Sequence, residues 1–159
     1  MSSDIGSHAL TEDDLLATPT RALAALFARH PTSVLPDGRA QGTVLVGTGT
    51  PVARTLAGLT RAVAWKGKVV DRERGMLHNL LGPTGARAVP AAVATGPSLF
   101  DGRDCVALDY SRTSLLARMV RDEIREVSPG LWLGVAYVRS RRVAWFSLRF
   151  AHPTPPPQG

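Results

Sequence analysis

A chain of 159 residues, 44% hydrophobic and 20% charged, suits one soluble globular domain with a core of its own. Its single cysteine, Cys105, excludes an intrachain disulfide, and within the apolar run CVAL it reads as a buried structural thiol. The formal net charge of +6 leaves anionic partners open, but the 19 Lys and Arg are scattered, which disfavours nucleic-acid binding.

No stretch approaches the ~20 apolar residues of a membrane helix. Met1–Ala9 lacks the basic start and apolar run of a signal peptide, so a cytoplasmic setting is expected. Residues 1–10 are small, polar and unpatterned, and disorder is expected there. Thr11 followed by Glu12, Asp13 and Asp14 opens a helix, since acids suit the N-terminal dipole. Thr18-Pro19 is a second start signal, a cap followed by proline at the first helical position. Leu23, Leu26 and Phe27 mark its apolar face, and His30-Pro31 ends it.

Thr32–Gln41 reads as a loop with a Pro36-Asp37-Gly38 turn, and Thr43–Val46 as a short strand. Thr50-Pro51 begins a helix with Val52, Leu56, Leu59 and Val63 on one face. Strands are then expected over Ala64–Asp71, Met76–Leu81 and Arg87–Ala94, where Pro90 signals an edge or a bulge. An Asp101-Gly102 turn leads into Asp104–Tyr110. Ser111–Met119 is ambiguous and can cap a short helix. Arg121–Val127, Leu131–Val138 and Val143–Phe150 complete the series, separated by turns at Ser128–Gly130 and Ser140–Arg142. The tail, AHPTPPPQG, cannot join a sheet.

Two early helices followed by seven or eight short strands at hairpin spacing predict a mainly β (α+β) fold. The expected form is a small antiparallel β-barrel with one or two N-terminal helices at one end. One domain over 11–151 is expected, between a disordered start and a Pro-rich tail at 152–159.

Gly47-Thr48-Gly49 lacks the third glycine of a dinucleotide loop and reads as a plain turn. No metal-ligand spacing and no G-x-S-x-G occurs, so neither a metal nor a cofactor is expected. In Trp65-Lys66-Gly67-Lys68, alternation puts Trp65 and Gly67 on one face and Lys66 and Lys68 on the other. An inward Lys68 needs an acid, and Asp122, Glu123 or Glu126 can supply it. Asp109-Tyr110 sets a carboxylate beside a phenol, either for proton transfer or with Asp109 capping the turn after it. His78 is the one histidine expected in a strand, structural before catalytic.

The densest charge lies in Val120–Tyr137. Val120, Asp122, Ile124 and Glu126 share one face; Arg121, Glu123, Arg125 and Val127 share the other, and only one face can point inward. The next strand, LWLGVAYV, is apolar on both faces, so this region is central.

Trp65-x-Gly67-Lys68, Asn79, Asp101-Gly102-Arg103, Leu108–Ser111 and RDEIREVSPGLWLG together resemble a group of small bacterial proteins. The W-x-G-K element is similar to one in the GXWXG/DUF4334-type proteins, whose opening G-x-W-x-G is not evident. The resemblance implies a lipocalin-like small barrel and no particular reaction.

Two function classes follow. The first is a barrel binding a small hydrophobic molecule, a polyketide- or terpenoid-like metabolite, with a cofactor-independent lyase, isomerase or cyclase step as its candidate chemistry. Its candidate acid/base residues are Lys68, Tyr110, Asp122, Glu123, Arg125 and Glu126. Trp65, His78, Asn79, Asp109, Arg121 and Trp132 are the candidate ligand-binding residues. The second is a non-catalytic interaction protein, a homodimer or a binder of an acidic partner, with the charged strand as interface.

Overall fold

A computed structural model describes residues 8–47, 64–113 and 117–151. Helices α1 (Glu12–Leu16) and α2 (Thr20–Arg29) precede eight strands. These are β1 (Gly38–Gly47), β2 (Gly67–Asp71), β3 (Met76–Leu81), β4 (Ala86–Pro97), β5 (Asp104–Asp109), β6 (Val120–Ser128), β7 (Leu131–Val138) and β8 (Arg141–Phe150). A single 3-10 turn, Ala117–Met119, leads into β6. Every strand pairs antiparallel with its neighbour in sequence, and β1 also pairs with β8, so the sheet closes into a barrel. Closure leaves no free strand edge. Among the described residues no helix is long and apolar enough to cross a membrane.

Strand alternation divides the apolar residues into two cores. Ala40, Val70, Leu77, Leu108, Ile124, Trp132, Phe146 and Leu148 fill the barrel interior. Leu131, Leu133, Val135 and Trp145 point outward and are covered by Leu15, Leu23, Leu26 and Phe27 of the helices. Each of these large side chains stabilises the fold by roughly 1.5–3 kcal/mol. Strand β7 is therefore buried on both sides, by the interior and by the helices, as its two apolar faces require.

The N-terminal helix signals divide differently from expectation. Thr11 caps α1 reciprocally with Asp14, the expected start. Thr18, expected to cap α2, instead donates its hydroxyl to the Asp14 carbonyl at the end of α1, 2.6 Å away. Pro19 is the N-cap residue of α2 and brings no side-chain hydrogen bond. Leu10, inside the stretch expected to be disordered, packs on the outer core. The helix expected after Thr50 and the Pro-rich tail lie outside the described residues.

Three strands differ most in extent, beyond shifts of one or two residues at the ends of β5, β6 and β8. Strand β1 starts at Gly38, inside the expected loop, because Gly38–Gln41 pair with β2 and Ala40 and Gln41 also pair with β8. Strand β2 starts at Gly67, three residues later than expected. Gly67 has a φ of +133°, and a Cβ there would stand 2.0 Å from the Ala40 carbonyl oxygen, so only glycine fits this close approach. Strand β4 is longer than expected, and its register against β3 shifts between His78 and Asn79, pairing them with Pro90 and Ala88. Val89 is the extra residue, with a φ of +43°. Pro90 thus marks a bulge, one of the two options its sequence left open.

Candidate functional site

Five of the sequence-predicted residues meet inside the barrel: Trp65, Lys68, Asn79, Tyr110 and Asp122. Lys68 from β2 is 2% exposed, Asp122 from β6 is 6% exposed, and Tyr110, just past β5, is 3% exposed. The three protons of the Lys68 ammonium reach three acceptors: Asn79 Oδ1 at 2.8 Å, the Tyr110 hydroxyl at 2.6 Å and Asp122 Oδ2 at 3.0 Å. Tyr110 donates its own proton to Asp122 Oδ2 at 2.9 Å. Asn79 accepts from Trp65 Nε1 at 3.0 Å and donates from Nδ2 to the Val89 carbonyl at 3.0 Å. The β4 bulge thus aims a backbone carbonyl at the cluster. Among the described residues no hydrogen bond reaches Asp122 Oδ1.

Aromatic rings enclose the ammonium. Its nitrogen lies 5.5 Å from the Trp65 and Phe146 ring centres and 5.3 Å from that of Tyr110. Glycine makes room for two of these rings. A Cβ on Gly42 would stand 2.3 Å from the Trp65 ring, and one on Gly134 2.2 Å from the Phe146 ring. Alternation had separated Trp65 from Lys68. The positive φ of Gly67 breaks that alternation at the first residue of β2, so both side chains join one cluster.

Burial favours the neutral form of each group here. It opposes the Lys68 charge, but the Asp122 carboxylate and the Tyr110 oxygen outweigh it and raise Lys68 above its ordinary value. Burial, then the Asp122 charge, pushes Tyr110 up to about 12. At neutral pH the centre therefore holds an ammonium and a neutral phenol beside the carboxylate. A protonated Lys68 is no nucleophile and forms no Schiff base. It stabilises negative charge.

The other face of β6 points out of the barrel, yet it is not solvated. Glu123 and Arg125 are both 0% exposed. All five N–H groups of Arg125 are engaged. Nε donates to the Asp104 carbonyl, Nη1 to the Phe27 carbonyl and Asp101 Oδ2, and Nη2 to Asp101 Oδ1 and the Arg103 carbonyl. Its guanidinium also stacks 4.4 Å from the Phe27 ring centre. Arg125 ties the end of α2 to the β4–β5 turn. Glu123 accepts from the Ser98 hydroxyl, the Leu99 backbone N–H and Arg121 Nε. Arg121, Glu123 and Arg125 are thus bound to one another's surroundings, outside the barrel and away from Lys68.

The remaining candidates also stand apart. Glu126 accepts from Ser33 and from the Gly130 backbone, fixing the β6–β7 turn. His78 alternates with the inward Leu77 and Asn79 and so points outward. Asp109 caps the following turn, accepting from the Ser111 N–H and hydroxyl. Trp132 is fully buried in the interior, 6.4 Å from the Phe150 ring, and its Nε1 has no hydrogen-bond partner among the described residues. Sequence reasoning missed Phe146 and Asp101. Gly134, a lone glycine opposite Phe146 in an apolar strand, was the available signal for the first; Asp101 read only as a turn residue. Among the described residues no group of three or more His, Cys, Asp and Glu is placed to hold a metal ion.

These features define a small closed antiparallel barrel with a buried, ion-paired polar centre. No family model and no curated protein matches the chain. A solved structure described as a protein from Thermomonospora curvata is similar, with a TM-score of 0.61 and 17% identity over 85% of this chain and 89% of that one. At that identity the likeness bears on the fold alone, and it supports the small barrel.

Proposed function

We propose that the protein is a cytoplasmic barrel that binds a small apolar metabolite carrying a carbonyl group, polyketide- or terpenoid-like, and moves a proton on it. The observation behind this reading is the Asp122 carboxylate: one oxygen is held by Lys68 and Tyr110, and the other accepts nothing among the described residues. Such an oxygen is a general base in an apolar enclosure. Asp122 Oδ1 takes a proton from the carbon next to the carbonyl, and the C–H electron pair becomes an enolate. The protonated carboxyl then needs less from its neighbours. Tyr110 and Lys68 turn their N–H and O–H donors toward the enolate oxygen. Asp122 returns the proton at another carbon or from another side, so nothing else is consumed. The overall step is an isomerisation, and a lyase or cyclase would share its first half.

Ligand-observed NMR with menthone, carvone and α-tetralone tests the binding half. Wild-type protein should bind at least one of them, and Asp122→Asn should bind it more weakly. Equal binding by both proteins, or none by the wild type, counts against the reading.

A further inference from the structure

A cleft open to solvent lies at the end of the barrel away from Lys68, lined by residues 32–35 between α2 and β1 together with β2, β4 and β5. It has a volume of about 370 Å³. That is within the roughly 300–1,000 Å³ of small-ligand sites. Leu35, Val70, Val93 and Val106 make its apolar walls, and Val34, 70% exposed, stands among its lining residues. Val70 is the next inward residue after Lys68 on β2, so the cavity floor is separated from the polar centre by about 7 Å of strand.

Two polar features break the apolar lining. Thr32 Oγ1 is buried with no hydrogen-bond partner among the described residues. Arg72, at the β2–β3 turn, also lines the cavity. Its backbone N–H is held by Asp37 at 2.9 Å, which fixes the turn. Its guanidinium has no ion pair or hydrogen bond among the described residues. Arg72 is exposed, and the neighbouring acid, Asp71, is paired with Arg74 at 2.6 Å. An unengaged guanidinium beside an apolar cavity suits a ligand with a carboxylate or similar anion at one end and a hydrocarbon body at the other. The chain's net charge of +6 favours the approach of such an anion.

We infer that this mouth is a binding site for an amphipathic carboxylate, with its hydrocarbon body against Val70, Val93 and Val106 and its anionic group at Arg72. The inference stands independently of the polar centre. Methyl NMR of the full chain, titrated separately with octanoate and 1-octanol, tests it. Octanoate should shift the methyl signals of Leu35, Val70, Val93 and Val106 and leave Ala136, which pairs with Asp122, in place. Arg72→Gln should weaken octanoate by roughly three- to fivefold and leave 1-octanol unchanged. Val34→Glu, an exposed change that leaves the core intact, should weaken octanoate alone by like-charge repulsion. Shifts at Ala136 without shifts at the mouth would move the ligand to the polar centre and overturn the inference. So would equal effects of Arg72→Gln on both probes, or an absence of shifts altogether.

Discussion

Lys68 Nζ and Asp122 Oδ2 meet at 3.0 Å although 54 residues separate them in the chain. Strands β2 and β6 stand opposite each other in the ring of eight, so this ion pair is a strut across the interior. The interior of an eight-stranded barrel is just wide enough for side chains to fill. The strut therefore crosses the interior at the level of Lys68, one strand step away from Val70 and the cleft lined by Arg72.

Removing one end of the strut leaves an uncompensated buried charge. Asp122→Ala should destabilise by about 3–5 kcal/mol in urea unfolding. Lys68→Met combined with Asp122→Leu should cost less than the sum of the two single changes, because neither charge is then stranded. Additive costs would show that the two side chains do not interact in solution.

The two tyrosines, Tyr110 and Tyr137, are each pushed up to about 12, chiefly by burial. An unfolded tyrosine titrates at about 10. The folded state thus holds these protons more tightly. Its stability advantage is complete below pH ~10 and is lost as pH rises through the folded value near 12. Absorbance at 295 nm should show almost no phenolate in native protein at pH ~10.5, while protein in guanidinium should already have ionised. A native titration centred near 10 would contradict the burial of both rings.

The Arg125–Asp101 pair should matter in acid. Arg125 and its neighbouring donors hold the Asp101 carboxyl far below its usual range. A depressed pKa stabilises the fold above the unfolded value of ~3.9, and that contribution is lost as pH falls toward the folded value. The stability gap between wild type and Asp101→Asn should therefore shrink between pH ~5 and pH ~2. Arg125→Met should itself cost about 3 kcal/mol, since it leaves Asp101 with only the more exposed Arg103 and takes the stronger of two donors from the Phe27 carbonyl. A loss under ~1 kcal/mol would mean that the outer face is solvated after all.

Gly134→Ala should destabilise by about 1–3 kcal/mol, because its Cβ would overlap the Phe146 ring. Phe146→Leu in the same chain should recover part of that loss. If Gly134→Ala is neutral by thermal denaturation, the ring is free to move aside.

The barrel was legible because its evidence is local. Hairpin spacing and period-two alternation recur along the chain, and each β-hairpin reports on itself. The double apolar face of LWLGVAYV likewise marked β7 as central, and burial on both sides is what the structure shows. The site was legible in part. Lys68, Asn79, Tyr110 and Asp122 each looked inward-capable, but their meeting depends on register, which single strands do not encode. Trp65 was set against Lys68 because strict alternation was extended through Gly67, where the backbone departs from it. Glu123 and Arg125 were misjudged for another reason. A charge facing out of a barrel is normally wet, and nothing in strand β6 reveals that α2 and the β4–β5 turn will close over it.

Deuterium incorporation tests the central claim most directly. The best-binding ketone of the panel is incubated with protein in D₂O at neutral pH and followed by ¹H NMR. Wild-type protein should speed loss of the signal from the carbon beside the carbonyl well above the buffer rate. Asp122→Asn, confirmed as folded by its spectrum, should return it to the buffer rate. Exchange at the same rate with both proteins, or bound ketone that never exchanges, would show that the open oxygen of Asp122 is not a base.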